Sequence, residues 1–328
     1  MKDVAREAGV ALGTVSKVIN GLPVSEPYKS NVEEAIKKLN YQVNTYARGL
    51  KTAKTQTLTL IIPSLTLPFY AEFAYHIEQQ AYRHGRKLIL CCSDMIPEKE
   101  LNYLTLASQN KTDGIIALTY SDISNQVPEG IPLIAFDRCF ENRQIPRIAS
   151  DNFEGGRLAA EKLLEFGCQR PAFIGLHSEF PGEADKRLDG YLHTCRERGI
   201  DPVYMYEPDS RDPRSVISEF LREQFHPENT GFSFDGIFAN TDYHACIVIQ
   251  LLKEMGFSVP DDIQVIGFDG IRKFYPADEY LVSTICQPLP SLAKRCVDML
   301  LDSENEPIPI LTLLPVQYAY GGTTREKL

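Results

Sequence analysis

From residue 57 onward, short β-rich apolar runs alternate with longer amphipathic stretches, and this alternation constrains the fold more than any other feature of the chain. The runs are Leu58 to Ile62, Lys87 to Cys92, Gly114 to Leu118, Leu133 to Phe136, Ala172 to Gly175, Gly236 to Ala239 and Gln264 to Phe268. Between them, Tyr70 to His84, Glu154 to Phe166, Arg187 to Arg198 and Tyr243 to Met255 have helical spacing, with Gly85, Gly167, Gly199 and Gly256 as helix stops. Strands alternating with helices of this length build βαβ units around a buried parallel sheet. About 270 residues of such pattern exceed one sheet of ordinary size, so two doubly wound parallel-sheet lobes are expected.

The whole chain has 328 residues and a formal charge of −10, which by itself speaks against a nucleic-acid partner. The average conceals a division. Residues 1–54 carry nine Lys/Arg and five Asp/Glu, a balance of +4, which leaves 25 basic against 39 acidic residues, or −14, for the rest. No run of 18 apolar residues is present, and the mixed-charge start Met1-Lys2-Asp3-Val4-Ala5-Arg6-Glu7 is unlike a secretory signal, so a cytoplasmic, nucleoid-associated protein with no membrane contact is expected. The eight cysteines are scattered without a Cys-x-x-Cys and read as small core residues, and no His or Cys spacing matches a metal site. Neither a metal nor a cofactor is expected.

Within the basic segment, apolar residues fall at helical spacing in three bursts: Val4, Ala5 and Ala8; Val15, Val18 and Ile19; Val32, Ala35, Ile36 and Leu39. Gly9 separates the first two and Gly21 follows the second, while Ser25 reads as the N-cap of the third, with Pro27 in its first turn. Two short helices joined by a glycine turn form a helix-turn-helix, although an oligomerisation or docking module with a basic face has the same generic spacing.

The fuller strings are more specific. Lys2-Asp3-Val4-Ala5-Arg6-Glu7-Ala8-Gly9-Val10, Thr14-Val15-Ser16-Lys17-Val18-Ile19-Asn20-Gly21, Leu39-Asn40-Tyr41 and Ala47-Arg48-Gly49-Leu50 closely resemble the headpiece and hinge of the LacI/GalR family of transcriptional regulators. The resemblance implies a DNA-binding headpiece over residues 1–43 and a hinge helix over 44–55. It makes Leu12, Gly13, Thr14, Ser16, Lys17 and Asn20 the groove-facing surface, and Tyr46, Arg48, Leu50 and Lys51 the hinge contacts, with Leu50 as an apolar wedge in the minor groove. A plain linker is the alternative reading of that segment. Ala11 stands where the family usually has a capping serine, and Leu12 and Gly13 where members read bases with polar side chains, so the operator differs from the usual half-site.

Ligands of doubly wound sheets sit outside the carboxyl ends of the strands, where Asp137, Arg138, Asp151, Asn152, Asn240, Asp242 and Asp269 fall. Carboxylates, amides and a guanidinium beside aromatic faces suit a polyhydroxylated ligand. Asp151 and Asp242 read better as helix caps or loop carboxylates. The family resemblance continues through Pro68-Phe69-Tyr70, Phe136-Asp137-Arg138, Arg187 with Gly190-Tyr191, Ile266-Gly267-Phe268-Asp269 and Cys286-Gln287-Pro288. It implies a periplasmic-binding-protein-like core over 56–328, with one lobe at 56–149 and 282–308 and the other at 150–281 and 309–328. Phe69, Tyr70, Asp137, Arg138, Arg187, Asn240, Asp269 and Gln287 would then contact a small effector, Arg187 being the anchor because a buried arginine needs a polar partner and Asp269 lies near. Ser64 and Leu67 replace the aspartate and asparagine common in sugar-responsive members, so the ligand is larger, less polar at that end or not a simple monosaccharide.

The expected protein is thus a repressor, not an enzyme, that binds a pseudo-palindromic double-stranded operator as a homodimer under control of a carbohydrate effector, with a purine or nucleoside-like effector as the alternative. The family-like body reaches Tyr320-Gly321-Gly322-Thr323-Thr324 with four residues after it, so a dimer without a tetramerising heptad tail is expected. A two-lobed solute-binding protein would share the body but not the headpiece. No Gly-x-Ser-x-Gly elbow, Walker loop or Gly-x-Gly-x-x-Gly accompanies the lobes to favour an enzyme.

Overall fold

The computed structural model describes residues 1–41, 55–140, 145–209, 211–226, 231–274, 278–302 and 308–325. The chain divides into two units, Met1–Thr55 and Gln56–Leu328. In the first, α1 (Lys2–Ala8), α2 (Leu12–Ile19) and α3 (Tyr28–Lys38) pack Val4, Ala5, Ala8, Val15, Val32 and Ala35 into one small core. The longest of these helices has 11 residues, too short to persist alone in water, so the shared core is what holds all three. Gly9, at φ 64°, ends α1 in the left-handed conformation and turns the chain into α2. Ala11 caps α2 without a side-chain bond, as its methyl group dictates. The expected Ser25 cap is not observed: Pro27 holds the N-cap position of α3, and the Glu26 carboxylate accepts from the Ser30 N–H at 3.3 Å. The hinge residues Tyr46, Arg48, Leu50 and Lys51 lie outside the described residues.

The second unit contains two six-stranded sheets. The first orders β13 (Leu311–Leu314), β5 (Arg147–Ser150), β4 (Leu133–Phe136), β3 (Gly114–Ala117), β1 (Thr57–Ile62) and β2 (Lys87–Cys92), with every pairing parallel. Strand β1 alternates as the pleat requires. Leu58, Leu60 and Ile62 face α4 (Pro68–Arg83) and α10 (Leu289–Leu301), whereas Ile61 joins Leu104 and Ala107 of α5 (Pro97–Gln109) on the other face.

The second sheet orders β14 (Gln317–Ala319), β12 (Thr284–Cys286), β11 (Gln264–Asp269), β10 (Gly236–Ala239), β6 (Pro171–His177) and β7 (Val203–Pro208). One face carries α6 (Asn152–Glu165) and α7 (Lys186–Arg198), the other α8 (Pro213–Glu223) and α9 (Asp242–Glu254). A small hairpin of β8 (Phe225–His226) and β9 (Gly231–Phe232) lies apart from both sheets.

Three expectations change. The second sheet is not wholly parallel, because β14 runs antiparallel to β12 and closes that edge. The later lobe crossings also move: Thr284–Cys286 pairs with β11 and Leu311–Leu314 with β5, so the chain crosses after Cys286 and after Leu314 and not near 281 and 309. Of the cysteines, Cys139 is exposed, while Cys91, Cys168, Cys195 and Cys296 are buried as small apolar side chains. The four helix-stop glycines behave as read, Gly85, Gly167, Gly199 and Gly256 having φ of 65°, 93°, 66° and 89°.

Helices α6 and α7 touch backbone to backbone. A Cβ on Gly156 would lie 2.0 Å from the Arg187 carbonyl oxygen, and one on Gly190 2.0 Å from that of Phe153. These two glycines therefore set how closely Arg187 is carried against Asn152 at the start of α6. Gly190→Ala forces the helices apart and is expected to cost about 3 kcal/mol, read as a loss in urea midpoint at unchanged m value.

Candidate functional site

The first unit presents one face of α2. Leu12, Gly13, Lys17 and Asn20 are exposed, Leu12 at 46%, whereas Thr14 and Ser16 are half-buried. Asn20 Nδ2 donates to Ser16 Oγ at 3.3 Å, which joins two of the predicted groove-facing residues. Val15 is fully buried and fixes that face outward by filling the headpiece core. Lys38 reaches Glu7 at 2.5 Å and ties α3 to α1 on the surface.

The second unit holds a cavity of about 300 Å³ between its two sheets, at the carboxyl ends of their strands. All eight predicted effector residues line it: Phe69, Tyr70, Asp137, Arg138, Arg187, Asn240, Asp269 and Gln287. Arg187 is 5% exposed, and each side of its guanidinium is occupied. Its Nε donates to Asn152 Oδ1 at 2.7 Å and its Nη1 to the Asn240 carbonyl at 2.6 Å, with Asp269 Oδ1 at 4.0 Å and the Phe268 ring 3.6 Å beneath. Asn152 Nδ2 in turn donates to Asp137 Oδ1 at 3.3 Å. Gln287 Nε2 donates to Asp269 Oδ1 at 2.9 Å and its Oε1 accepts from Ser150 Oγ at 2.8 Å, a bond that joins the lobes.

Two carboxylates are held in unusual backbone. Asp137 has φ 59° and Asp269 φ 126°, both in the region that L residues rarely adopt, and strain of this kind persists where a site requires a side chain to be aimed. Burial pushes the Asp269 carboxyl up to about 6, against the opposing pull of Arg187. Burial likewise raises Asp137, with Arg187 and Arg138 pulling it down. His244, which also lines the cavity, is lowered to about 4 by burial and then by Arg187, so it is neutral at pH 7.

On the opposite wall Tyr70 and Tyr120 share a hydroxyl–hydroxyl bond of 2.8 Å, and the Arg138 guanidinium lies 3.9 Å over the Tyr120 ring. Phe69 packs 6.4 Å from Phe136 and gives this wall its apolar surface. Leu67 is part of the wall, whereas Ser64 is turned into its own loop, bonded to Thr66 Oγ1 at 2.8 Å.

Some roles differ from the sequence reading. Asn240 is largely committed inside the protein, its Nδ2 donating to the Leu176 carbonyl at 2.9 Å and its Oδ1 meeting His244 Nδ1 at 2.6 Å. Asp151 is the N-cap of α6, as read. Asp242 is no cap: Thr241 performs that task, and the fully buried Asp242 accepts from the Gly270 and Ile271 N–H groups at 3.0 and 2.7 Å, bracing the turn that follows Asp269. Sequence reasoning missed Asn152 as the link between Arg187 and Asp137. It also missed Tyr120, His177, Tyr206 and Asp209 as cavity wall. The available signal was position, since His177 ends β6 and Asp209 follows β7, but the edge strand β7 offers only the short, half-buried run Val203 to Tyr206 before Glu207 and Pro208.

Two family models match the chain: "Bacterial regulatory proteins, lacI family" over residues 1–44, and "Periplasmic binding proteins and sugar binding domain of LacI family" over 55–301. The sucrose operon repressor of Streptococcus mutans is 33% identical over 98% of this chain and 98% of its own. The ribose operon repressor of Halalkalibacterium halodurans is 35% identical over 94% of this chain and 91% of its own. Among solved structures, a periplasmic binding protein/LacI transcriptional regulator from Alkaliphilus metalliredigens, complexed with D-xylulofuranose, aligns with a TM-score of 0.69 at 29% identity over 83% of this chain and all of its own. The lac repressor dimer bound to operator shares the fold over 98% of this chain and 97% of its own, with a TM-score of 0.82 at 24% identity. With both family models in chain order and relatives matched almost end to end, the chain belongs to the LacI family of bacterial regulatory proteins, DNA-binding repressors with an effector-binding domain.

Proposed function

We propose that the protein represses transcription by binding a pseudo-palindromic operator as a homodimer, and that a neutral polyhydroxylated effector, a carbohydrate, sets its operator affinity from the cleft. What carries the effector reading is the convergence of Asp137, Arg187, Asp269 and Gln287 on one cavity beside the Phe69 and Phe136 rings. Sugar hydroxyls both donate and accept, so paired carboxylate, amide and guanidinium groups match them, and the apolar face of a sugar ring fits against an aromatic one. Relatives named for sucrose and ribose operons support the same class.

On the DNA side, Leu12, Gly13, Thr14, Ser16, Lys17 and Asn20 are assigned to the major groove, and Tyr46, Arg48, Leu50 and Lys51 to the hinge contacts. Leu12 offers its methyls to a thymine and Lys17 its ammonium to a guanine edge, while Thr14 and Ser16 serve bases or phosphates. Effector and operator are then linked through the relative placement of the two lobes: Gln287 with Ser150 and Arg147 with Glu183, the latter at 3.0 Å, join strand β5 of the first lobe to residues outside the strands of the second.

A thermal-shift screen of sugars, sugar phosphates, nucleobases and nucleosides identifies the effector class, since a ligand at 100 times its Kd stabilises by about 2.7 kcal/mol. Stabilisation by nucleobases alone would overturn the carbohydrate reading. In band shifts, Leu50→Ala is expected to weaken operator binding while sparing nonspecific binding, and equal losses on both would remove the wedge. Asp269→Asn is expected to abolish the effector response and keep operator binding. The pH dependence follows from Asp269. In the free site its carboxyl titrates near 6, and hydroxyl donors on the ligand favour the ionised form, so the complex binds fewer protons than the free protein. Effector affinity is therefore level above pH 7 and falls by up to about tenfold per unit below pH 6, measurable by calorimetry at pH 5, 6 and 7.5.

A further inference from the structure

We propose that the cleft contains a second saccharide subsite, built around His177, Asp209, Tyr206 and Arg138, and that the effector is a neutral disaccharide with one ring in each half. This inference rests on the carbohydrate reading above and specifies its size.

The strand order carries the argument. Along the second sheet, β12, β11, β10, β6 and β7 are successive neighbours, and at their carboxyl ends stand Gln287, Asp269, Asn240, His177 and Asp209, all of which line the same cavity. Neighbouring strands lie about 4.8 Å apart, so this polar row spans roughly 19 Å, longer than one sugar ring can engage. The row is also divided chemically. Gln287, Asp269 and Asn240 are tied to Arg187 and to one another by the bonds described above. His177 and Asp209 belong to a separate group. The Asp209 N–H donates to the His177 carbonyl at 2.8 Å, the His177 ring lies 4.8 Å from Tyr206, and the Tyr206 hydroxyl bonds Asp185. None of these bonds is needed by the Arg187 cluster.

The first lobe completes the subsite. Arg138 follows β4, is 8% exposed, and places its guanidinium over Tyr120 while Nη1 donates to the Phe180 carbonyl at 2.9 Å. Its Nε is buried without a hydrogen-bond partner, while the residue itself lines the cavity. Asp209 is raised by burial and lowered by the nearby charges of Arg138 and His177, and all three residues line the same cavity. Acceptors at Asp209 and Asp185, a donor at Arg138 and the apolar flank of Met95 and Tyr120 suit a neutral hydroxylated ring. A phosphate there would meet two carboxylates, which disfavours a sugar phosphate.

The test is calorimetric titration of the full chain with sucrose, maltose, cellobiose and lactose and with their component monosaccharides. At least one disaccharide is expected to bind tenfold or more tightly than either of its components. Asp209→Asn is expected to reduce that ratio at least tenfold at an unchanged melting temperature, whereas Asp269→Asn weakens both ligand sizes alike. His177→Ala serves as the independent variant and is expected to act as Asp209→Asn does. If monosaccharides bind as tightly as every disaccharide, or if Asp209→Asn and His177→Ala lower both sizes equally, the subsite is refuted and the carbohydrate reading stands. If no saccharide of either size binds while the chain still shifts operator DNA, the carbohydrate reading fails and the subsite with it.

Discussion

The buried guanidinium of Arg187 is the constraint around which the effector domain is organised. A charge taken out of water must recover its lost solvation from fixed partners, and here those are Asn152, the Asn240 carbonyl, Asp269 and the face of Phe268. These partners come from three elements, α6, the end of β10 and the end of β11, so one side chain fixes the spacing of three. The Gly156 and Gly190 contact between α6 and α7 is the packing condition that lets Arg187 reach them. Because Asn240, Asp269 and Arg187 itself line the cleft, the cost of burying the charge and the shape of the ligand site are one problem.

The inter-lobe bonds extend this logic to regulation. Gln287 spans from Asp269 of one lobe to Ser150 of the other, and Glu183, 3% exposed, pairs with Arg147 across the same divide and with Lys186 at 2.6 Å on its own side. A ligand that competes for Gln287 would act on a bond that joins the lobes. A ligand effect on the placement of the lobes takes this physical form: differential contacts in two placements of the same parts.

Much of the site was legible because strand ends are legible. An apolar run that stops at Phe136-Asp137-Arg138 or Phe268-Asp269 announces both a buried strand and the polar residues that emerge from it, and all eight expected effector residues do share one cavity. Edge strands were harder to read. Val203–Pro208 alternates in burial only weakly and Gln317–Ala319 is three residues long, so neither shows the continuous apolar run of a central strand. Missing β7 meant missing Asp209 and Tyr206, and with them the far half of the cleft. Of the two structural roles read for Asp242, cap or loop carboxylate, only the tertiary fold selects the second, because a carboxylate at a helix start has the same local pattern whether it caps that helix or braces a distant turn.

The sequence by itself determined the division into a basic three-helix headpiece and an acidic α/β body, since charge balance and the period of apolar residues are local quantities that need no partner. It also determined Gly9 and the four helix-stop glycines, whose left-handed backbone follows from the missing side chain. Only the tertiary structure decided where the chain crosses between lobes, which strand lies beside which, and so that His177 and Asp209 extend the row begun by Gln287 and Asp269. Strand order is a choice among pairings far apart in sequence, made by burial of both sheet faces at once, and no window along the chain contains it.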